Sequence, residues 1–220
     1  EADLRSLIVD RLPLAGDAAA PRHLTWSRGS PFRGLSTFEF EHAPVFFGRT
    51  RAIADVRSAL IVQARRGCAF LLVLGMSGAG KSSLLLAGVL PVITQPGVVE
   101  GVDLWRWCSL RPSGNQRDLL LGLARAILGG LGAANDAGAG LSDTTLALLL
   151  RQSPEHAAAE IGKALQHGAA TATAAQGLAR PPVALLVVVI DQFEELFALA
   201  DVDAEDRRRF ISAVESLASS

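Results

Sequence analysis

The chain has 220 residues, half of them apolar, with 21 basic and 22 acidic residues and a formal net charge of -1. That length suits one α/β domain with a sizeable core plus a short extra segment. The balanced charge argues against direct binding of a polyanion such as DNA or an anionic membrane.

Residues 1–29 hold a short amphipathic stretch, Leu4 to Leu12, followed by Pro13, Gly16, Pro21 and Gly29. This reads as the tail of an upstream module and a linker. The acidic start, Glu1-Ala2-Asp3-Leu4, has no apolar region of the kind a signal peptide needs, and no apolar run reaches the roughly 18 residues of a membrane helix. The expected compartment is the cytoplasm. The missing initial Met and the helical pattern at the end suggest a fragment of a longer protein.

Residues 30–47 carry five of the nine phenylalanines, a density that predicts packing onto a core. Thr50 to Arg66 reads as an amphipathic helix with Ile53, Val56, Leu60 and Ile61 on one face. Cys68 to Leu74 is an apolar run of strand length. Gly75 to Gly80 is a glycine loop, and Lys81 to Val89 reads as a helix stopped at Pro91. Leu104 to Leu110 reads as a strand whose alternation turns one of Trp105 and Trp107 toward the core. Arg111-Pro112-Ser113-Gly114 is a turn, and Gln116 to Leu128 an amphipathic helix with Leu119, Leu120, Leu123 and Ile127 on one face.

Gly129 to Gly140 reads as a loop. Ser142 and Ser153 are candidate helix caps, the second followed by Pro154 at a favoured first position. Residues 168–182 read as another loop. Val183 to Ile190 is eight consecutive apolar residues, as in a parallel strand buried on both faces. A last helix is expected near Asp203 to Ala218, capped by Asp203, with Arg207-Arg208-Arg209 on a solvated face. Cys68 and Cys108 have no CxxC partner and no His at ligand spacing, so they read as small buried hydrophobes rather than a disulfide or zinc site. His23, His42, His156 and His167 are scattered and form no metal constellation. Strands alternating with helices imply a parallel sheet wrapped by helices.

Gly75-Met76-Ser77-Gly78-Ala79-Gly80-Lys81-Ser82 matches G-x-x-x-x-G-K-[ST] between an apolar run and a helix. Glycines allow backbone angles closed to other residues and let amides approach an anion. The helix behind adds the positive end of its dipole. Gly75, Ser77, Gly78, Ala79, Gly80, Lys81, Ser82 and Ser83 are therefore the candidate phosphate-binding residues. Lys81 would reach the β and γ phosphates, and the Ser82 hydroxyl would ligate Mg²⁺. Only two of the 21 basic residues are lysines, Lys81 and Lys163, a skew that reads as codon bias. The motif and the alternation together predict a P-loop NTPase fold, a three-layer sandwich around a parallel central sheet.

Such a site needs an acid at the end of another buried strand. Val183 to Ile190 ends in Asp191, a candidate Mg²⁺ ligand. Helix N-capping is the other reading of that residue. Glu194 and Glu195 are candidates to orient or deprotonate an attacking water. First-turn acids favoured by the helix dipole are the other reading of these two. The long Ala/Gly-rich stretch between Lys81 and Asp191 reads as an insertion outside the chemistry.

Ser30-Pro31-Phe32-Arg33-Gly34-Leu35, Phe38-Glu39 and Ala43-Pro44-Val45-Phe46-Phe47-Gly48-Arg49 precede the glycine loop, and Asp191-Gln192-Phe193-Glu194-Glu195-Leu196-Phe197 closes the last strand. With the loop itself, these resemble the novel STAND NTPase domain, a bacterial relative of the NACHT and NB-ARC signalling ATPases, over roughly residues 30–220. The resemblance implies an ATP/ADP-binding switch that rests closed, opens into a homo-oligomer, and hydrolyses ATP slowly with Mg²⁺. It implies that Phe47, Gly48 and Arg49 lie against the base and ribose. It also implies an N-terminal effector, of which residues 1–29 would be the end, and a C-terminal sensor such as WD repeats. A sensor arginine and a winged-helix lid would follow the last strand by some tens of residues, past residue 220. Two other readings stand beside the switch: an ATPase or kinase with continuous turnover, and the NTPase module of a transcriptional regulator. The absence of N-K-x-D argues against GTP.

Overall fold

The computed structural model describes residues 30–95, 97–114, 118–132, 140–176 and 179–220. The expected linker over 1–29 and most of the expected loop after Gly132 lie outside them. In chain order the elements are a 3₁₀ turn at Phe40–Val45, α1 at Thr50–Arg65, α2 over 81–93, β1 at Leu104–Leu110, α3 at Leu119–Leu131, α4 at Asp143–Gln152, α5 at Pro154–Gln176, β2 at Ala184–Ile190, α6 at Glu195–Ala198 and α7 at Ala204–Ala218.

β1 and β2 pair in parallel, from Leu104 opposite Ala184 to Leu110 opposite Ile190. Successive side chains on a strand point to opposite faces. Leu186, Val188 and Ile190 accordingly pack on one core, with Cys108 and Leu110 of β1, while Val187, Val189 and Trp107 join another. The first core is the larger. It is built from Leu123, Ile127 and Leu131 of α3, Leu146 and Leu150 of α4, Ala157 and Ala164 of α5, and Phe210 of α7. The second holds Leu86, Val89, Leu90 and Ile93 of α2, closed by Ile53, Val56 and Leu60 of α1 and by Phe40, whose ring stacks on Trp107 at 5.0 Å. Helices thus cover both faces of a two-stranded parallel sheet, a mixed α/β architecture consistent with an NTPase fold.

Local chemistry sets several helix starts. Asp118 accepts from the amides of Leu120 and Leu121 at the head of α3, Ser142 from Thr145 at the head of α4, and Asp203 from Asp206 at the head of α7. These satisfy amides that have no partner inside the helix. Asp118 is also gripped by Arg151 of α4 through both carboxylate oxygens, at 2.9 and 2.8 Å, which ties α3 to α4. A Cβ on Gly130 would lie 2.6 Å from the Trp107 carbonyl, so only glycine lets α3 sit this close to β1.

The structure departs from the sequence reading in six places. Cys68 to Leu74 has no regular secondary structure and joins no sheet ladder. Its Ala69 amide donates instead to the Ala218 carbonyl at the end of α7, at 2.7 Å. An apolar run becomes a strand only where a second strand takes its backbone groups, and neither β1 nor β2 does so for this one. The helix after the loop runs through Pro91 to Ile93, because Leu84–Val89 is a π-helical turn in which the Leu90 amide reaches back five residues to Leu85. Such wide turns accommodate a residue that lacks an N–H. α3 begins at Leu119 behind its cap Asp118 and runs on past Leu128 to Leu131, while the expected start at Gln116 lies outside the described residues.

Residues 168–176, expected as loop, complete the 23-residue α5. Their alanines favour helix, and the hydroxyls of Thr171 and Thr173 bond back to the carbonyls of His167 and Ala169. The stretch expected as an insertion supplies most of the larger core, which Leu196, Val202, Phe210 and Ala213 complete. Finally, Arg207 is not on a solvated face. Its guanidinium donates to the carbonyls of Leu196 and Leu199 at 2.9 Å each, capping α6 from α7, while Arg208 and Arg209 pair with acids of their own helix.

Candidate nucleotide and metal site

The glycine loop lies at the surface between the 68–74 segment and α2. Gly78 and Gly80 take positive φ values of 76° and 80°, a region L side chains rarely enter, so both positions call for glycine. Gly75 does not use that region, and a Cβ there would meet the Lys81 stem at 3.5 Å and the Ala79 methyl at 3.8 Å, both ordinary contacts. Lys81 is folded back on the loop, donating to the carbonyls of Gly75 at 2.8 Å and Met76 at 3.2 Å. Such a lysine is held close to where a phosphate would sit, on bonds that an anion could replace.

The tip of β2 comes to the loop from the far end of the sequence. Ser82, at the head of α2, donates its hydroxyl to Asp191 Oδ1 at 2.5 Å across 109 residues of chain. Asp191 and His42 are the buried polar side chains among the described residues. A hydroxyl and a carboxylate in contact are hard oxygen donors of the sort Mg²⁺ selects, so the residues fit that ion. Asp191 is not the cap of the following helix, since Glu194 holds that position at the start of α6.

Strand register explains a neighbour the sequence reading did not single out. Leu110 faces Ile190, and the Asp191 amide donates to the Leu110 carbonyl at 2.9 Å, so residue 111 must fall beside residue 191. Arg111 donates from Nε at 2.9 Å and Nη2 at 2.8 Å to Asp191 Oδ2. Two residues on, the Ser113 hydroxyl donates to the Glu195 carboxylate. The turn after β1 therefore holds both acids. The signal was present in the sequence, as a basic residue at the end of a strand, but the pairing of that strand with β2 was needed to use it. Gln192, with φ of 54°, turns the chain sharply after Asp191 and leaves Glu194 exposed and Glu195 half-buried.

The aromatic segment approaches from the other side. The Phe38 amide donates to Ser83 Oγ at 3.0 Å, and Arg49 donates to the Ala79 carbonyl at 3.3 Å. Gly48 takes a φ of 84°, turning the chain toward the loop. An open cavity of about 300 Å³ beside the loop is lined by Gly48, Arg49, Arg51, Ala52 and Asp55. Phe47 is 72% exposed, with its ring in solvent. The structure thus gathers Lys81, Ser82, Asp191 and Glu195 around one end of the sheet, with Arg49 at the loop's edge, and leaves Glu194 and Phe47 facing outward. Cys108 is buried and Cys68 half-buried, and neither is in a disulfide. No group of His, Cys, Asp and Glu among the described residues has the make-up of a metal cluster, and no helix among them is long and apolar enough to cross a membrane.

The family model Novel STAND NTPase 1 matches residues 31–220. The chain belongs to the novel STAND NTPase 1 family. No curated protein and no solved structure matches it. For this STAND NTPase, membership makes the chain an NTPase module and implies nucleotide binding.

Proposed function

We propose that this STAND domain is an ATP/ADP-binding switch that uses Mg²⁺, turns ATP over slowly, and controls assembly and effector output in a larger multidomain protein. The observation that carries the reading is the contact of Ser82 with Asp191, which joins the phosphate loop to the tip of β2. Lys81 would move from the loop carbonyls to the β and γ phosphates. Ser82 and Asp191 would hold Mg²⁺, directly or through water, and the ion would supply charge neutralisation at the phosphates. Amides from Gly75 to Ser83 would receive the phosphate oxygens, and Arg49 with Gly48 and Phe47 would flank the base and ribose. Glu195, held by Ser113, is better placed than exposed Glu194 to orient an attacking water. On this reading the sheet and the 68–74 segment belong to a three-layer P-loop sandwich, and the chain works beside a sensor and an effector.

Turnover and mass measured together test this. The switch reading expects slow hydrolysis, well below the 1–10³ s⁻¹ typical of enzymes with continuous turnover, and a larger mass by light scattering with ATP than with ADP. Rapid basal turnover at constant mass would favour a conventional ATPase instead.

A further inference from the structure

Asp191 is nearly sealed from solvent, and both its oxygens are taken by partners from this chain: Ser82 on Oδ1, and the Nε and Nη2 of Arg111 on Oδ2. Lys81 points its ammonium at loop carbonyls, so among the described residues Arg111 is the cation paired with Asp191. An unpaired carboxylate at such a depth is costly, and a planar guanidinium answers it with two well-directed bonds. A divalent cation makes a different demand. It needs oxygen from the same carboxylate in a tight octahedral shell, and its charge repels a guanidinium on that carboxylate.

Accepting the reading of Ser82 and Asp191 as the metal-holding pair, we infer that Arg111 is the placeholder cation of this site: it holds Asp191 while no divalent ion is bound, and the ion's arrival displaces it. The Arg111 side chain is 47% exposed against 9% for Asp191, so the guanidinium has a way out that the carboxylate lacks. A cavity of about 320 Å³, lined by Arg111 with Pro112, Gly114, Leu119 and Arg125, lies beside it and gives the released arm room. Because register fixes the Arg111 backbone next to Asp191, release is a side-chain movement and leaves β1 in place.

The test is Mn²⁺ binding followed by electron paramagnetic resonance on the whole chain saturated with ADP. Arg111→Ala, Arg111→Lys and Arg125→Ala are compared with the native chain, and ADP binding in EDTA is measured for each as a check on the loop. A competing charge-assisted bond lowers apparent metal affinity, so Arg111→Ala should bind Mn²⁺ about tenfold tighter or more. Arg111→Lys should fall between, and Arg125→Ala, which removes a charge from the same cavity wall, should stay within about twofold of native. In EDTA the melting temperature of Arg111→Ala should be depressed, and Mn·ADP should narrow the gap. Unchanged or weaker Mn²⁺ binding in both Arg111 variants overturns the inference and makes Arg111 a fixed support of Asp191. A native chain that binds ADP but takes no Mn²⁺ overturns the metal reading of Ser82 and Asp191, and the inference with it.

Discussion

Asp191 is held from two other stretches of chain: α2 through Ser82, and the end of β1 with the turn after it, through the Leu110 carbonyl that accepts from the Asp191 amide and through Arg111. Motif logic singles out Asp191 and Ser82 as candidates, because a phosphate site calls for an oxygen at each of those sequence positions. Arg111, Ser113 and Arg207 escape it, since their roles depend on which strands are neighbours and how a short helix ends. Cys108 is a simpler case. Burial against the helical layer pushes its thiol up from 9.0 to about 12. The unfolded thiol ionises first, so the stability this residue contributes is full below about pH 9 and is lost as pH rises toward 12. The melting temperature of the native chain should therefore fall more steeply between pH 9 and pH 11 than that of Cys108→Ala. Parallel curves would contradict the assignment. Iodoacetamide at pH 8 should label half-buried Cys68 well before Cys108.

Two adjacent glycines give an internal comparison at the level of elements. Gly130 faces the Trp107 carbonyl with no room for a methyl, while Gly129, one position earlier in α3, has nothing within 4 Å of an added Cβ. Gly130→Ala should destabilise by about 1–3 kcal/mol through overpacking. Gly129→Ala should stabilise by roughly 0.5–1 kcal/mol through helix propensity. Chemical denaturation of the two variants checks both signs, and equal effects would show that α3 does not sit on β1 as described. Elements with strong local signals were legible in the sequence. The β1 bounds, the apolar face of α3 and the caps at Ser142 and Asp203 all follow from side-chain chemistry within a few residues. What could not be read locally was the competition. Thr171 and Thr173 sit in a stretch rich in alanine with small and polar residues, which suits loop or helix, and packing of α5 on the larger core decides for helix. Pro91 normally ends a helix, and only the π-helical turn before it lets α2 continue.

Over the whole molecule, β1 was found from its alternation and β2 from a continuous apolar run, and their parallel pairing follows from the helices between them. The failure at 68–74 is a matter of partners rather than propensity. The run is apolar, yet its Phe70, Leu72 and Leu74, with Met76 of the loop behind it, are 41%, 52%, 81% and 84% exposed, an apolar row without cover among the described residues. Such a row binds apolar dyes and favours self-association. The 220-residue chain should enhance the fluorescence of 1-anilinonaphthalene-8-sulfonate, and Leu72→Asp should reduce it with a stability change within about 0.5 kcal/mol, as for other exposed positions. A large stability loss instead would mean that Leu72 is packed.

The central claim is that the loop from Gly75 to Ser82 works as an adenine-nucleotide site. The most direct measurement is thermal melting with MgATP, MgADP, MgGTP or no nucleotide, on the native chain and on Lys81→Ala. A ligand at 100 times its dissociation constant adds about 2.7 kcal/mol, which for a chain of this size raises the melting temperature by roughly 5–11 °C. The account predicts that rise with both adenine nucleotides, little with MgGTP, and none in Lys81→Ala. No rise with any nucleotide, or the same rise in Lys81→Ala, would contradict it.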